Sequence, residues 1–80
     1  MELKDTIELM NSSDYKDRFK AEYYQTKIRY MKLHAMIVKF DAGKLDFMTC
    51  PIELLKEQKS NMGQYLYNLE VRAEIEGIKL

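Results

Sequence analysis

The chain has no tryptophan, one cysteine, one histidine, one proline and three glycines among its 80 residues. A single cysteine, Cys50, excludes an internal disulfide framework and a multi-cysteine zinc site; with His34 as the one histidine, no Cys/His metal cluster can be assembled either. A lone thiol points to a reducing compartment, so the expected location is the cytoplasm. Long apolar runs are lacking: the longest unbroken one is Ala35 to Val38, too short for a membrane span, and the opening MELKDTIELM offers no apolar signal region. Net charge is lacking as well, because 13 Lys and Arg balance 13 Asp and Glu. No global field draws the chain onto duplex nucleic acid or an anionic membrane, and any charge-driven binding is local. Glycine-rich phosphate loops, paired catalytic carboxylates and metal-ligand spacings are missing too. The expectation is a protein that is not an enzyme and uses no cofactor and no metal.

What is present is 46% hydrophobic and 32% charged residues, six Met and six Tyr, a profile too apolar and aromatic for a disordered chain. Its length is that of one domain, residues 1–80. Leu3, Ile7 and Met10 fall at i, i+4, i+7, the spacing of one helical face, and predict a short helix over about residues 2–10. Ser12 or Ser13 then suits the N-cap of a second helix, with Asp14 and Asp17 in its electropositive first turn. No Gly or Pro interrupts before Gly43, so this helix spans about 13–42 and closes at a left-handed Gly43. Leu45 to Thr49 connect to a third helix over about 51–76, with Pro51 in its first turn and Gly77 beyond its end. Strand alternation and internal repeats are absent. The fold class is all-α: an antiparallel hairpin of two long helices with a short N-terminal helix laid against it.

The second helix carries two apolar seams. One follows Tyr23, Thr26, Tyr30, Leu33, Ile37 and Phe40, extended upstream by Phe19 and Tyr15; the other follows Ala21, Tyr24, Ile28, Met31, Ala35 and Val38. At about 100° per residue they lie on different faces, and one hairpin partner cannot cover both. The third helix has a seam at Ile52, Leu55, Met62, Leu66, Leu69 and Ala73, broken only by Lys59, and a second stripe at Tyr67, Val71, Ile75 and Ile78. This surplus predicts a homo-oligomer, most economically a dimer closing into a helical bundle, with Tyr24, Ile28, Met31, Ala35 and Val38 at the interface. The alternative is a monomer whose N-terminal helix covers the second seam.

Between the two seams run Lys16, Lys20, Lys27 and His34. Residues 14–44 hold eight Lys and Arg against four Asp and Glu, a balance of +4 in a neutral chain. Lysines between two contacts can simply snorkel into water. They can also build an anion pocket where subunits meet, cations supplying charge and tyrosines supplying stacking faces and hydroxyls. The candidate ligand-binding residues are Lys20, Tyr23, Tyr24, Lys27, Tyr30 and His34, and a cyclic nucleotide or related anionic small molecule suits them better than duplex nucleic acid. His34 lacks a nucleophile and an orienting carboxylate in reach, so it is read as a hydrogen-bonding group and not as a base. Cys50 is read as capping the third helix or packing in the connection. Gly63, mid-helix at a cost of about 1 kcal/mol relative to Ala, is explained by close approach of a helix or a ligand.

The opening MELKDTIELMNSSDYKDRFKAEY, the core KIRYMKLHAMIVKF, the link AGKLDF, the turn CPIELLKEQ and the ending YLYNLEVRAEIEGI together resemble a family of short proteins encoded by phages and prophages of gut bacteria, related to a protein of crAss-like phages. The resemblance implies a phage accessory protein acting in the host bacterial cytoplasm, and it carries no catalytic residues to transfer. Two functions follow: a counter-defence protein that sequesters a nucleotide-like immune signal in an oligomer pocket, or an inhibitor that docks on a host defence protein in the manner of anti-CRISPR proteins. A structural or assembly adaptor is the third.

The two-seam argument is testable on its own. Light scattering at micromolar concentration should report at least a dimer, and Met31→Glu should dissociate it by burying an unpaired charge. A monodisperse monomer whose behaviour Met31→Glu leaves unchanged would refute it.

Overall fold

The computed structural model describes residues 1–45 and 49–80. Part of the connection read over Leu45–Thr49, residues 46–48, lies outside the described residues. The chain begins with a 3-10 turn, Leu3–Thr6, that runs directly into a one-turn helix, α1 (Ile7–Met10); two long helices follow, α2 (Tyr15–Asp41) and α3 (Ile52–Glu76). No strand occurs among the described residues, and the all-helical expectation holds. Cross-helix pairs Tyr15–Arg72, Tyr23–Glu70 and Asp41–Lys56 fix α2 and α3 as antiparallel. The molecule measures 44 × 25 × 17 Å, and its long axis matches the roughly 40 Å expected for the 27 residues of α2.

Local chemistry sets the helix ends. Asp14, not Ser12 or Ser13, is the N-cap of α2: its backbone is extended and its carboxylate accepts from the Lys16 N–H at 2.9 Å. A carboxylate there also meets the helix dipole, an advantage a serine lacks. Ser12 braces the cap from outside, its Oγ accepting from the Asp14 N–H at 3.0 Å and donating to Asp17 at 2.9 Å. Gly43 and Gly77 both take positive φ, 74° and 69°, closing α2 and α3 in the left-handed conformation that favours glycine. After Gly77, the Ile78 N–H donates back to the Ala73 carbonyl at 2.9 Å. That turn swings Ile78 onto the core, where it is 6% exposed, so it does not continue the outer stripe of α3. Pro51 is the N-cap of α3 without a side-chain cap bond, and Cys50, read as a cap or a packing group, is exposed.

The helix read over residues 2–10 is split, its start closed by a capping box and its first turn tightened by a back-bonded hydroxyl. Asp5 accepts from the Glu2 N–H at 2.8 Å, and the Thr6 hydroxyl donates to the Leu3 carbonyl at 2.7 Å, tightening the first turn into 3-10 form. Thr6 is fully buried, and Gln25 of α2 donates to its Oγ1 at 2.9 Å. Gln25 also reaches the Met10 sulfur. This short segment packs on α2 and covers the start of its second seam: Ala21 is buried and Tyr24 and Ile28 are half-buried, whereas Met31 and Val38 stay about half exposed.

The main core cluster lies at one end of the hairpin. Phe19 and Tyr23 of α2 pack with Leu66, Leu69 and Ala73 of α3 and with Ile78, and Tyr24 and Tyr30 pack against the cluster. Polar clasps reinforce the same end. The Tyr23 hydroxyl donates to Glu70 at 2.6 Å, Tyr65 donates to Glu22 at 3.0 Å, and Arg72 donates to the Tyr15 hydroxyl at 2.8 Å while lying 5.0 Å from the Phe19 ring centroid. Burial and the Glu70 carboxylate raise the Tyr23 phenol to about 12, and burial and Glu22 raise Tyr65.

A phenol whose folded pKa is raised stabilises the fold at pH below its ordinary value near 10 and loses that contribution as pH climbs through about 12. Tyr23→Phe should therefore cost about 1.5–3 kcal/mol at pH 8, the range for a hydrogen bond to a charged group. In thermal melts the gap between variant and parent should close as pH approaches 12. A gap that stays constant from pH 8 to 12 would disprove the role given to this bond.

Candidate functional site

The structure divides the candidate ligand residues between two grooves on different faces of α2. The first, of about 390 Å3, is lined by Tyr24, Lys27, Ile28, Met31 and Lys32 of α2 and closed by Met1. It unites two candidate ligand residues, Tyr24 and Lys27, with Ile28 and Met31, which like Tyr24 are candidate interface residues. Its size falls in the range of small-molecule sites, roughly 300–1,000 Å3. Lys27 and Lys32, five residues apart on α2, flank an apolar floor of Tyr24, Ile28 and Met31, an arrangement that suits an anionic ligand with a flat or apolar part.

Tyr23 plays a different part from the other candidate tyrosines. Its ring is 4% exposed and its hydroxyl is taken by Glu70, so it offers no stacking face. It positions instead: Tyr24 packs edge-on against it with centroids 5.3 Å apart, and the Lys27 ammonium lies 5.6 Å from its centroid. Upstream, Lys20 is half-buried; downstream, His34 is half-buried with its Nδ1 fully enclosed and without a hydrogen-bond partner among the described residues. Neither lines the first groove. Of the candidate interface residues, Ala35 and Val38 are exposed beyond its end.

Tyr30 faces the other way, into a second groove between α2 and α3, of about 430 Å3, lined by Tyr30, Ile37, Asp41, Lys56, Lys59, Ser60 and Gly63. The Lys59 ammonium lies 5.9 Å from the Tyr30 ring centroid, and Lys56 pairs with Asp41 at 3.1 Å. Sequence reasoning placed no site on α3, yet two signals were visible there: Lys59 breaks the apolar seam, and Gly63 sits mid-helix. The ring of Tyr30 lies against the glycine: a Cβ on residue 63 would stand 3.4 Å from its Cε2, at the edge of ordinary contact. Lys32 and Met1 had no such signal. Lys32 is one more lysine on a polar face, and Met1 reaches α2 only because the 3-10 turn folds back.

Among the described residues, no group of three or more His, Cys, Asp or Glu could hold a metal ion, and no helix is long and apolar enough to cross a membrane. Gly63 yields a direct check on the Tyr30 contact. Gly63→Leu should lower stability by about 1–3 kcal/mol in chemical unfolding by displacing the ring, whereas Gly63→Ala should be near neutral, its helix-propensity gain of about 1 kcal/mol set against a tight contact. A Leu variant as stable as the parent would show that the ring is not held there.

A family model, Sequestin, matches residues 13–75, from the Asp14 cap through α2, the connection and nearly all of α3. The chain belongs to the Sequestin family. No curated protein and no solved structure matches it.

Proposed function

We propose that this Sequestin-family member is a non-catalytic binding protein that sequesters a small, anionic, nucleotide-like immune signal, and that it is a phage accessory protein countering host defence in the bacterial cytoplasm. The family's name speaks of sequestering. The observation that carries the reading is the groove where Tyr24, Lys27, Met31 and Lys32 meet beneath Met1. Lys27 and Lys32 attract the anionic group and Tyr24 supplies an aromatic face, while the buried Tyr23 holds Tyr24 and Lys27 in position. Lys20 and His34 complete the site from a second copy, while Tyr30, a candidate for the same pocket, is turned into the groove between α2 and α3. Self-association is favoured by the twelve large hydrophobic residues exposed among the described ones, against nine buried hydrophobic residues. The copies meet along Met31, Ala35 and Val38, the part of the second seam that the N-terminal segment leaves uncovered, next to Tyr24 and Ile28.

The experiment is thermal melting against a panel of cyclic di- and trinucleotides. A ligand that binds only the folded state adds about 2.7 kcal/mol at a hundred times its Kd, a rise of roughly 10 °C or more for a domain of this size. The ligand should be recovered chemically intact after the complex is denatured. Lys27→Ala should keep fold and oligomer and weaken binding by about 1.5–3 kcal/mol, the range for a lost charged hydrogen bond. If no nucleotide moves the midpoint, the reading fails.

A second reading, an inhibitor docked on a host defence protein, is favoured by one feature. Tyr67, Val71 and Ile75 form an apolar row on the outer face of α3, 60%, 40% and 79% exposed. Under that reading Val71→Glu abolishes inhibition and leaves nucleotide binding unaffected.

A further inference from the structure

We propose that the groove between α2 and α3 at Tyr30, Asp41, Lys56, Lys59 and Ser60 is a phosphate site completed within one chain, built for a phosphorylated ligand that carries a planar ring. It rests on the reading of the protein as a sequestering one and places phosphate recognition on α3, away from the Tyr24 groove. Two departures from a plain hairpin core converge here. Lys59 stands where the apolar seam of α3 calls for a hydrophobe, and Gly63, one turn on, gives up helix stability so that Tyr30 can lie close. Packing alone requires neither residue, since a Cβ at position 63 would meet Tyr30 at 3.4 Å, the edge of ordinary contact.

The groove holds its own placeholders. Lys56 rests on Asp41 at 3.1 Å with both side chains about half exposed, and Lys59 rests over the Tyr30 ring at 5.9 Å. Exposed pairings of this kind are weak, and a multiply charged phosphate displaces them. Lys56 and Ser60 are one turn apart and Lys59 lies between them, so one anion can meet both ammonium groups and the hydroxyl. Two lysines against one aspartate leave the groove with a net charge of +1. Once Lys59 swings to the phosphate, the face of Tyr30 is uncovered for a ring, with Ile37 as an apolar floor.

The test is titration of the full chain with inorganic pyrophosphate and with ADP, followed by calorimetry and by amide chemical shifts. Both probes should give saturable shifts centred on residues 56–63, with ADP the tighter. Lys56→Ala and Lys59→Ala should each weaken both probes about tenfold or more, as loss of a charged hydrogen bond implies. Asp41→Asn should tighten pyrophosphate by removing the competing carboxylate. Tyr30→Leu should abolish the advantage of ADP and leave pyrophosphate binding in place. The proposal is overturned if neither probe binds, if the shifts fall on residues 24–32, or if both lysine variants bind like the parent. In each of these cases the cyclic-nucleotide melts still decide the sequestering reading. Conversely, pyrophosphate and ADP held at residues 56–63 with no cyclic di- or trinucleotide shifting the melting midpoint would sink the sequestering of such a signal and leave the groove standing.

Discussion

The contact of α2 with α3 is tight at one end and open at the other, and this asymmetry governs the molecule. At the tight end Phe19 and Tyr23 lock into Leu66, Leu69, Ala73 and Ile78, and three polar clasps through Glu70, Glu22 and Arg72 bind the helices around that cluster. Towards the connection the partners change. Leu33 and Ile37 are still buried on α2, but α3 answers with half-buried Ile52 and Leu55 and with Lys56, Lys59 and Ser60. Apolar area stabilises the first half of the hairpin, and a polar groove occupies part of the second. A hairpin this thin has little core to give up, so a lysine kept on the inner side of α3 costs burial that a hydrophobe would have provided.

The N-terminal segment works within the same economy of surface. Its anchor is a buried hydroxyl: Thr6 donates to Leu3 and accepts from Gln25, satisfying itself while fixing the turn against α2. Ile7 and Met10, expected to face α2, are about half exposed. The segment therefore covers Ala21 and shades Tyr24 and Ile28 without sealing the seam. The groove under Met1 exists because the cover stops short.

Much of the architecture was legible in the sequence. Helical periodicity, two glycines at helix ends and the absence of breakers between Asn11 and Gly43 point to long helices, because those signals act within a few residues. What was illegible depended on contacts distant in sequence or on choices between near-equal local options. Asp14 outcompetes Ser12 and Ser13 as a cap through its charge. Ile78 reads as one more residue of the outer α3 stripe until the turn at Gly77 carries it inward. For the candidate site, Lys27 and Tyr24 could be placed together by angle on α2, but nothing local separates Tyr23, which Glu70 claims from 47 positions away, from the tyrosines beside it. Lys59 and Gly63 stood out as exceptions to a pattern, and only the approach of Tyr30 showed that they share a groove.

The place of Ile78 bears on how the chain reaches its structure. This side chain sits at the closed end of the hairpin beside Phe19 and Tyr23, so the cluster stays incomplete until nearly all of α3 and the turn beyond it exist. During synthesis α2 is finished long before its partner, with both apolar faces wet. The contacts that close the hairpin join residues as far apart as Tyr15 and Arg72, so loop closure must precede most of the reward. Closure of the hairpin is then a late event, and a chain arrested before Leu66 offers Phe19 and Tyr23 no partner on α3.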